Sequence, residues 1–440
     1  MLEAIKKYWG EIFFLFYLLM ACVFYKERTL FLDNAFQAFL LIQDGYIEIN
    51  ANRWPAVINR VLPWMAVLIN CKLECVLLLF SVNYVLVQYL IFLLIKRPGK
   101  TVLALGYVLI LALAQNHAFF WCNSELVLLL GFIFMWWSLF SSGRWIAAAF
   151  LTGVIAWTHP VSLVAFTFLI GLLWINNRFT TVPSYISAIV FYPNYWLQSS
   201  AFPNWYDTMK KESFAFQLEN YQFLRDDWGL SLVWESGWLY VAIISLVIVW
   251  HIQKRFFKPL IFFLISSLLL LLMLDIGNLS PGGSSFEFYN EVNMMTLFYF
   301  CVASVLVHFN TPGKHLNPQI KIYILLLCIV SGMIQWIPTS RFYTDRINWF
   351  EKLVAKHDRA VIDENTMPQD ILVQSWASAC ESLLISSIKG NSQTVLISGD
   401  PRAIDIPMLK DSFITAFRNY PLEEMNPRYF NLSRKSYYLD

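Results

Sequence analysis

Residues 76–95 read VLLLFSVNYVLVQYLIFLLI, twenty positions without a charge, and the next five are Lys96-Arg97-Pro98-Gly99-Lys100. About 20 apolar residues in a helix cover the ~30 Å hydrocarbon layer of a bilayer, so this stretch reads as a membrane span that ends in a basic loop. The pattern recurs in both directions. Apolar stretches near 11–25, 101–118, 125–141, 145–158, 161–175, 181–196, 238–252, 259–275, 292–309 and 320–337 bring the expected number of spans to about eleven. Thr158-His159-Pro160 interrupts 145–175, which reads as one long span or two. Composition agrees, since 58% of the 440 residues are hydrophobic and only 14% are charged, against about 25% in soluble proteins. That balance excludes a soluble enzyme and a disordered chain. A formal charge of +2 gives no reason to expect nucleic acid as a partner.

Charge placement sets the orientation. With the N-terminus cytoplasmic and eleven crossings, the inner segments hold Lys6, Lys7, Lys96, Arg97, Lys100, Arg144, Arg178, Lys254, Arg255, Lys258, Lys314 and Lys321, with Glu3 as their only acid. Loop 276–291, on the other side, has no Lys or Arg and carries Glu287 and Glu291. Lys and Arg concentrate in short cytoplasmic loops, so this asymmetry supports the orientation and the division of 145–175 into two spans. The first apolar stretch follows Lys6 and Lys7 without a small-residue cleavage site and reads as a retained span. Seven scattered cysteines show neither metal-ligand spacing nor a paired framework.

Two long loops, 26–72 and 197–237, and the polar tail 340–440 therefore lie outside, and function is expected there. The chain divides into a membrane domain, 1–339, and a soluble tail, 340–440. In the tail a helical stretch Asn348–Lys356 leads to the strand-like RAVIDEN, then a helical QDILVQSWASACESLLISSI and a second strand-like run, QTVLISGD. That alternation predicts a small α/β module. No glycine-rich nucleotide fingerprint accompanies it.

The first outside loop contains FLDNAFQAFLLIQDGYIEINANRWPAVINRVLPW. Apolar Phe36, Phe39, Leu40 and Ile42 mix with polar residues between Asn34 and Gln43, which predicts a helix lying in the interface. Asp33 sits just before it, where a helix cap belongs, and capping is compatible with catalysis. Arg53 and Arg60 follow in a second amphipathic segment. A guanidinium binds phosphate through a bidentate fork, and an interfacial lipid phosphate is the natural ligand; snorkelling anchors are the alternative. Lys210, Lys211 and Arg225 are the basic candidates of the second long loop, although Asp207, Glu212, Asp226 and Asp227 beside them also suit a mixed solvated surface. Ionisable groups near the apolar layer are costly and tend to be functional. His117 and Glu125 bracket the short outside loop NHAFFWCNSE, and His159 lies in WTHP at the same face. Carboxylates and imidazoles together suit a divalent cation, but their spacing is not a metal motif.

This organisation resembles the GT-C superfamily of membrane glycosyltransferases, which take a sugar from a polyprenyl-phosphate donor. The likeness rests on the cytoplasmic N-terminus, the first outside loop of two amphipathic segments with an acid soon after span one, the carboxylate at the start of span four, and the soluble outer tail. The resemblance implies a polytopic α-helical protein of the bacterial inner membrane with an extracytoplasmic C-terminal domain. It also implies that Asp33 is the catalytic base or a metal ligand and that Glu125 is a second acidic site residue. Many members show an adjacent acidic pair in the first loop, whereas here Asp33 is followed by Asn34. On this reading Arg53 and Arg60 bind the donor phosphate, and His159, Lys210 and Lys211 contact substrate. The other expectation is a non-catalytic integral membrane subunit of a cell-envelope or lipid-handling assembly, with other membrane or envelope proteins as partners.

Overall fold

The computed structural model of the chain describes residues 2–97, 100–177, 182–219, 238–278, 287–309, 318–401, 404, 411–432 and 437–439. Arg178, Arg225, Asp226, Asp227, Lys314 and the middle of loop 276–291 lie outside these described residues. The protein is 76% helical, with a small sheet region near the C-terminus.

Every apolar stretch named above forms a helix. In chain order the helices are α1 (Leu2–Val23), α2 (Tyr25–Thr29), α3 (Leu32–Asp44), α4 (Val61–Leu68), α5 (Leu73–Lys96), α6 (Thr101–Leu113), α7 (Glu125–Phe140), α8 (Trp145–Ala156), α9 (Ser162–Ile175), α10 (Val182–Trp196), α11 (Trp205–Glu219), α12 (Trp238–Gln253), α13 (Phe257–Asn278), α14 (Glu287–Phe309) and α15 (Pro318–Lys356). Region 145–175 is two helices, because residues 157–161 around Pro160 turn between α8 and α9. Among the described residues three helical segments are long and apolar enough to cross a membrane, Leu73–Lys96, Phe257–Leu274 and Gln319–Lys356. Others are shorter: α6 has 13 residues, and at 1.5 Å per residue it covers roughly 20 Å, less than a full hydrocarbon layer.

Packing is aromatic and close. Phe168 stacks on Phe300 with ring centroids 3.8 Å apart, and Phe119 stacks on Trp336 at 4.3 Å. Gly106 lets α6 approach α14, since a Cβ there would stand 2.2 Å from Leu306 Cδ1. Small residues serve this purpose at helix crossings. Leu15, Leu19, Ile146, Phe150 and Leu268 are exposed on the outer helical faces, an arrangement compatible with insertion in a membrane.

The tail differs from a detached module. Helix α15 runs through residues 339 and 340 without a break, so Asn348–Lys356 is its last part and the expected boundary falls inside it. It leads into β1 (Ala360–Asp363), which pairs in parallel with β2 (Val395–Ser398), Ala360 facing Val395 and Asp363 facing Ser398. Between them come the short α16 (Gln369–Leu372) and α17 (Ser378–Ile388), the crossover that joining parallel strands demands. An antiparallel pair, β3 (Ser412–Ile414) with β4 (Asn419–Pro421), and β5 (Tyr438–Leu439), added beside β1, complete the module.

Helix α3 is seated under this module and not laid in an interface. Phe39 packs against Phe413, Tyr420 and Phe430 with centroids 5.0, 5.3 and 5.6 Å away, and Ala35, Ala38, Leu41 and Ile42 are buried with it. Its far end is tied down as well, because Asn426 takes Gln43 Oε1 with its N–H at 2.9 Å and donates Nδ2 to the Ile42 carbonyl at 2.9 Å. Its near end begins at Leu32, two residues earlier than expected. Phe31 is therefore the cap residue and Asp33 lies in the first turn, where a carboxylate complements the helix dipole.

Candidate functional site

Arg53 is the centre of the candidate site, where loop 26–72 meets α7 and α11. It precedes the 3₁₀ turn Trp54–Arg60, where Pro55 fixes the entry, and this turn aims the guanidinium inward. Nη1 meets Glu125 Oε2 at 3.2 Å and Nη2 meets Asp207 Oδ1 at 2.9 Å. Glu125 comes from the first turn of α7, which Ser124 caps. Asp207 comes from α11 and is fixed by a reciprocal cap: Asn204 accepts the Asp207 N–H at 2.8 Å and donates Nδ2 to Asp207 Oδ2 at 2.7 Å. Burial opposes the charge of Arg53, but the Glu125 and Asp207 carboxylates beside it more than restore it, so the guanidinium is held above its ordinary value.

Asp33 belongs to the same neighbourhood. Tyr206, next to Asp207 in the chain, is pushed up by burial and then by the negative charges of Asp33, Glu125 and Asp207. The guanidinium of Arg53 lies 5.7 Å from the Tyr206 ring and the ammonium of Lys210 5.8 Å from it. His159 is held well below the ordinary imidazole range by burial and by the charge of Arg53, and its Nδ1 accepts the Val161 N–H at 3.2 Å. With Nδ1 taken as the acceptor, the neutral imidazole carries its proton on Nε2 and can donate a hydrogen bond from there.

Arg60 is one step removed. It is buried, with Nε donated to Asn123 Oδ1 at 3.1 Å and Nη1 to the Glu48 carbonyl at 2.8 Å, and burial lowers its ordinary value. Lys211 turns away and donates to the Ser199 carbonyl. His117 also stands apart, facing Tyr343 Oη at 3.2 Å. Its turn is held by Glu291, whose carboxylate accepts the N–H groups of Asn116, His117 and Ala118 at 2.6, 2.8 and 3.1 Å. The structure thus brings Asp33, Arg53, Glu125, His159 and Lys210 around Tyr206 and Asp207, and leaves Arg60 and Lys211 at the edge.

Among the described residues no group of three or more His, Cys, Asp or Glu side chains is arranged to hold a metal ion. Arg53 occupies the place between Glu125 and Asp207 that a cation would take.

No family model, curated protein or solved structure matches this chain.

The sequence names Asp207 only as one of the acids that also suit a mixed solvated surface, and it does not single out Tyr206, Arg28 or Glu381. The spacing Asn204-x-x-Asp207 at the head of a helix was a legible capping signal. Arg28 had no local signal. It is fully buried, donates Nε to Ser81 Oγ at 2.7 Å and another N–H to the Phe119 carbonyl, and its own carbonyl accepts from Asn34 Nδ2 at 2.8 Å. Glu381 is the more consequential omission. Its Oε2 pairs with Arg346 Nη2 at 2.7 Å, and its Oε1 accepts both Arg346 Nε and the Leu32 N–H at 3.0 Å. Leu32 has φ +38, an uncommon conformation for a bulky residue, and it directly precedes Asp33. The tail thereby fixes the turn that presents Asp33.

Proposed function

We propose that this chain is a polytopic membrane glycosyltransferase of the GT-C type, moving a sugar from a polyprenyl-phosphate donor to an acceptor at the outer face of the bacterial cytoplasmic membrane. The observation that carries the reading is the Arg53 centre, where residues from 33, 53, 125, 159 and 207 converge although the chain separates them widely. Retaining the lipid tail in the bilayer while its phosphate leaves requires an interfacial site with cations and a base. In this scheme Asp33 takes the proton of the acceptor hydroxyl, whose oxygen bonds to the anomeric carbon as the bond from that carbon to the phosphate oxygen breaks. Arg53 and Lys210 face the departing phosphate, and Arg60 holds the loop behind them. Glu125 and His159 position the acceptor. Eleven crossings, with an inner N-terminus and an outer tail, complete the proposal.

A second reading is a non-catalytic envelope subunit. One observation favours it: both terminal nitrogens of Arg53 are already engaged by carboxylates, a closed arrangement that suits a structural tie.

Transfer from a radiolabelled polyprenyl-phosphate sugar, measured with purified protein in proteoliposomes, separates the two. Turnover above protein-free vesicles supports the enzyme. Saturable donor binding without turnover, across hexose, pentose and amino-sugar donors, supports the subunit.

A further inference from the structure

The elbow between α4 and α5 carries two cysteines. Cys71 immediately precedes Lys72, the cap of α5, and Cys75 lies in the first turn, its N–H bonded to the Lys72 carbonyl at 3.0 Å. Four positions apart across this tight turn, the two side chains are neighbours: the Cys75 thiol is pushed up by burial and by the Cys71 thiol beside it. Both are half-buried, whereas Cys122, Cys301, Cys328 and Cys380 are buried. The elbow's backbone is pinned on both sides. Cys71 donates its N–H to the Ala66 carbonyl at 2.9 Å, its own carbonyl accepts the Tyr429 hydroxyl at 2.9 Å, and Arg428 donates to the Asn70 carbonyl. Cys71 opens onto a cleft of about 380 Å³ that Lys72, Glu74, Ser387 and Arg428 also line.

We propose that Cys71 and Cys75 form a redox-modification site, oxidised to an intramolecular disulfide by exchange with an external small-molecule disulfide. The Cys71 thiolate, reached through the cleft, attacks one sulfur of the external disulfide and expels the first thiolate, leaving a mixed disulfide. Cys75 then loses its proton to water and attacks Cys71 Sγ, forming the Sγ–Sγ bond and expelling the second thiolate. Two electrons pass to the external disulfide, which becomes two thiols, and the chain loses two hydrogens. The bond closes a short loop at the seat of Arg428 and Tyr429. The same C-terminal segment holds the end of α3 through Asn426, so oxidation rigidifies the support of that helix. The inference is independent of whether the chain transfers sugars.

Trypsin cuts after Lys72, between the two cysteines, so an unbridged chain releases peptides 61–72 and 73–96 separately. The full-length protein in detergent is incubated with oxidised glutathione, alkylated and digested without reductant. A linked pair of these peptides that separates on reduction is expected, and Cys75→Ser is expected to retain a glutathione adduct on peptide 61–72. Separate peptides alkylated at both cysteines would overturn the proposal, as would stable glutathione adducts on both cysteines of the wild type.

Discussion

Arg53 and Asp207, separated by 154 positions in the chain, form a 2.9 Å ion pair in which the side chains are 11% and 12% exposed. It ties the segment between α3 and α4 to α11. Asn52 Nδ2, donated to the Phe202 carbonyl at 2.8 Å, reinforces the same junction. Removing one partner of such a buried pair strands the other charge and costs about 3–5 kcal/mol. Arg53→Gln, which leaves Glu125 and Asp207 facing each other, is expected to fall in that range in denaturant unfolding in detergent. Asp207→Asn should cost less because Glu125 remains. A double-mutant cycle should give a coupling of about 0.5–3 kcal/mol, and additive effects would mean that the junction is not a working tie.

The Glu291 and His117 pair gives a pH signature. Glu291 lies before the apolar run Met294–Phe309, and burial pushes its carboxyl up to about 7 from an ordinary 4.5, against the pull of three backbone N–H groups. The folded state therefore holds this proton while the unfolded state has lost it, and the contribution, full below 4.5, disappears as pH rises through 7. His117 is pushed by burial from 6.5 to about 4, so its contribution increases as pH rises from 4 to 6.5. The two slopes oppose each other over their common window. Glu291→Gln should remove the first of them, so wild-type stability minus variant stability should fall by up to about 3 kcal/mol between pH 4.5 and pH 8. Thermal unfolding across that range checks it; a difference independent of pH would contradict the titration.

The tail is expected to govern the turn before Asp33. Arg346 and Glu381 are 1% and 0% exposed, and Glu381 also holds Leu32. Glu381→Gln retains an acceptor for the Leu32 N–H but strands the Arg346 charge, at a cost of about 3–5 kcal/mol. Amide exchange should then accelerate at Leu32 and in the first turn of α3, ahead of the distant α6. Unchanged protection there would show that the turn stands without the tail.

Much of this was legible in the chain. The apolar runs gave the helices because hydrophobicity is a local property, and Pro160 marked the break between α8 and α9. The β-α-β tail was legible for the same reason, since strand and helix periodicities change at recognisable positions. What failed was long-range. Helix α3 has the apolar pattern of an interfacial helix, and nothing in residues 34–43 tells a lipid surface from the Phe413, Tyr420 and Phe430 face of a segment almost 400 positions away. Arg53 and Glu125 were singled out as separate candidates, but their meeting with Asp207 depends on three loops closing together.

Sidedness can be tested by reporter fusions. Fusions after Lys258 should be cytoplasmic, and fusions after Glu287 and Asp440 should be external, given the basic residues of the inner loops. A cytoplasmic C-terminus would remove the basis for an outer-face reaction.

The most direct measurement compares wild type with Asp33→Asn for turnover of a polyprenyl-phosphate sugar, beside donor affinity and thermal unfolding of the same preparations. Asparagine keeps the size and polarity of the position at the head of α3 but cannot act as a general base at neutral pH. A catalytic Asp33 predicts a folded protein with wild-type donor affinity and turnover reduced by about 10²–10⁴-fold. Equal turnover in the two proteins would contradict the assignment and leave Asp33 as a residue of the helix start.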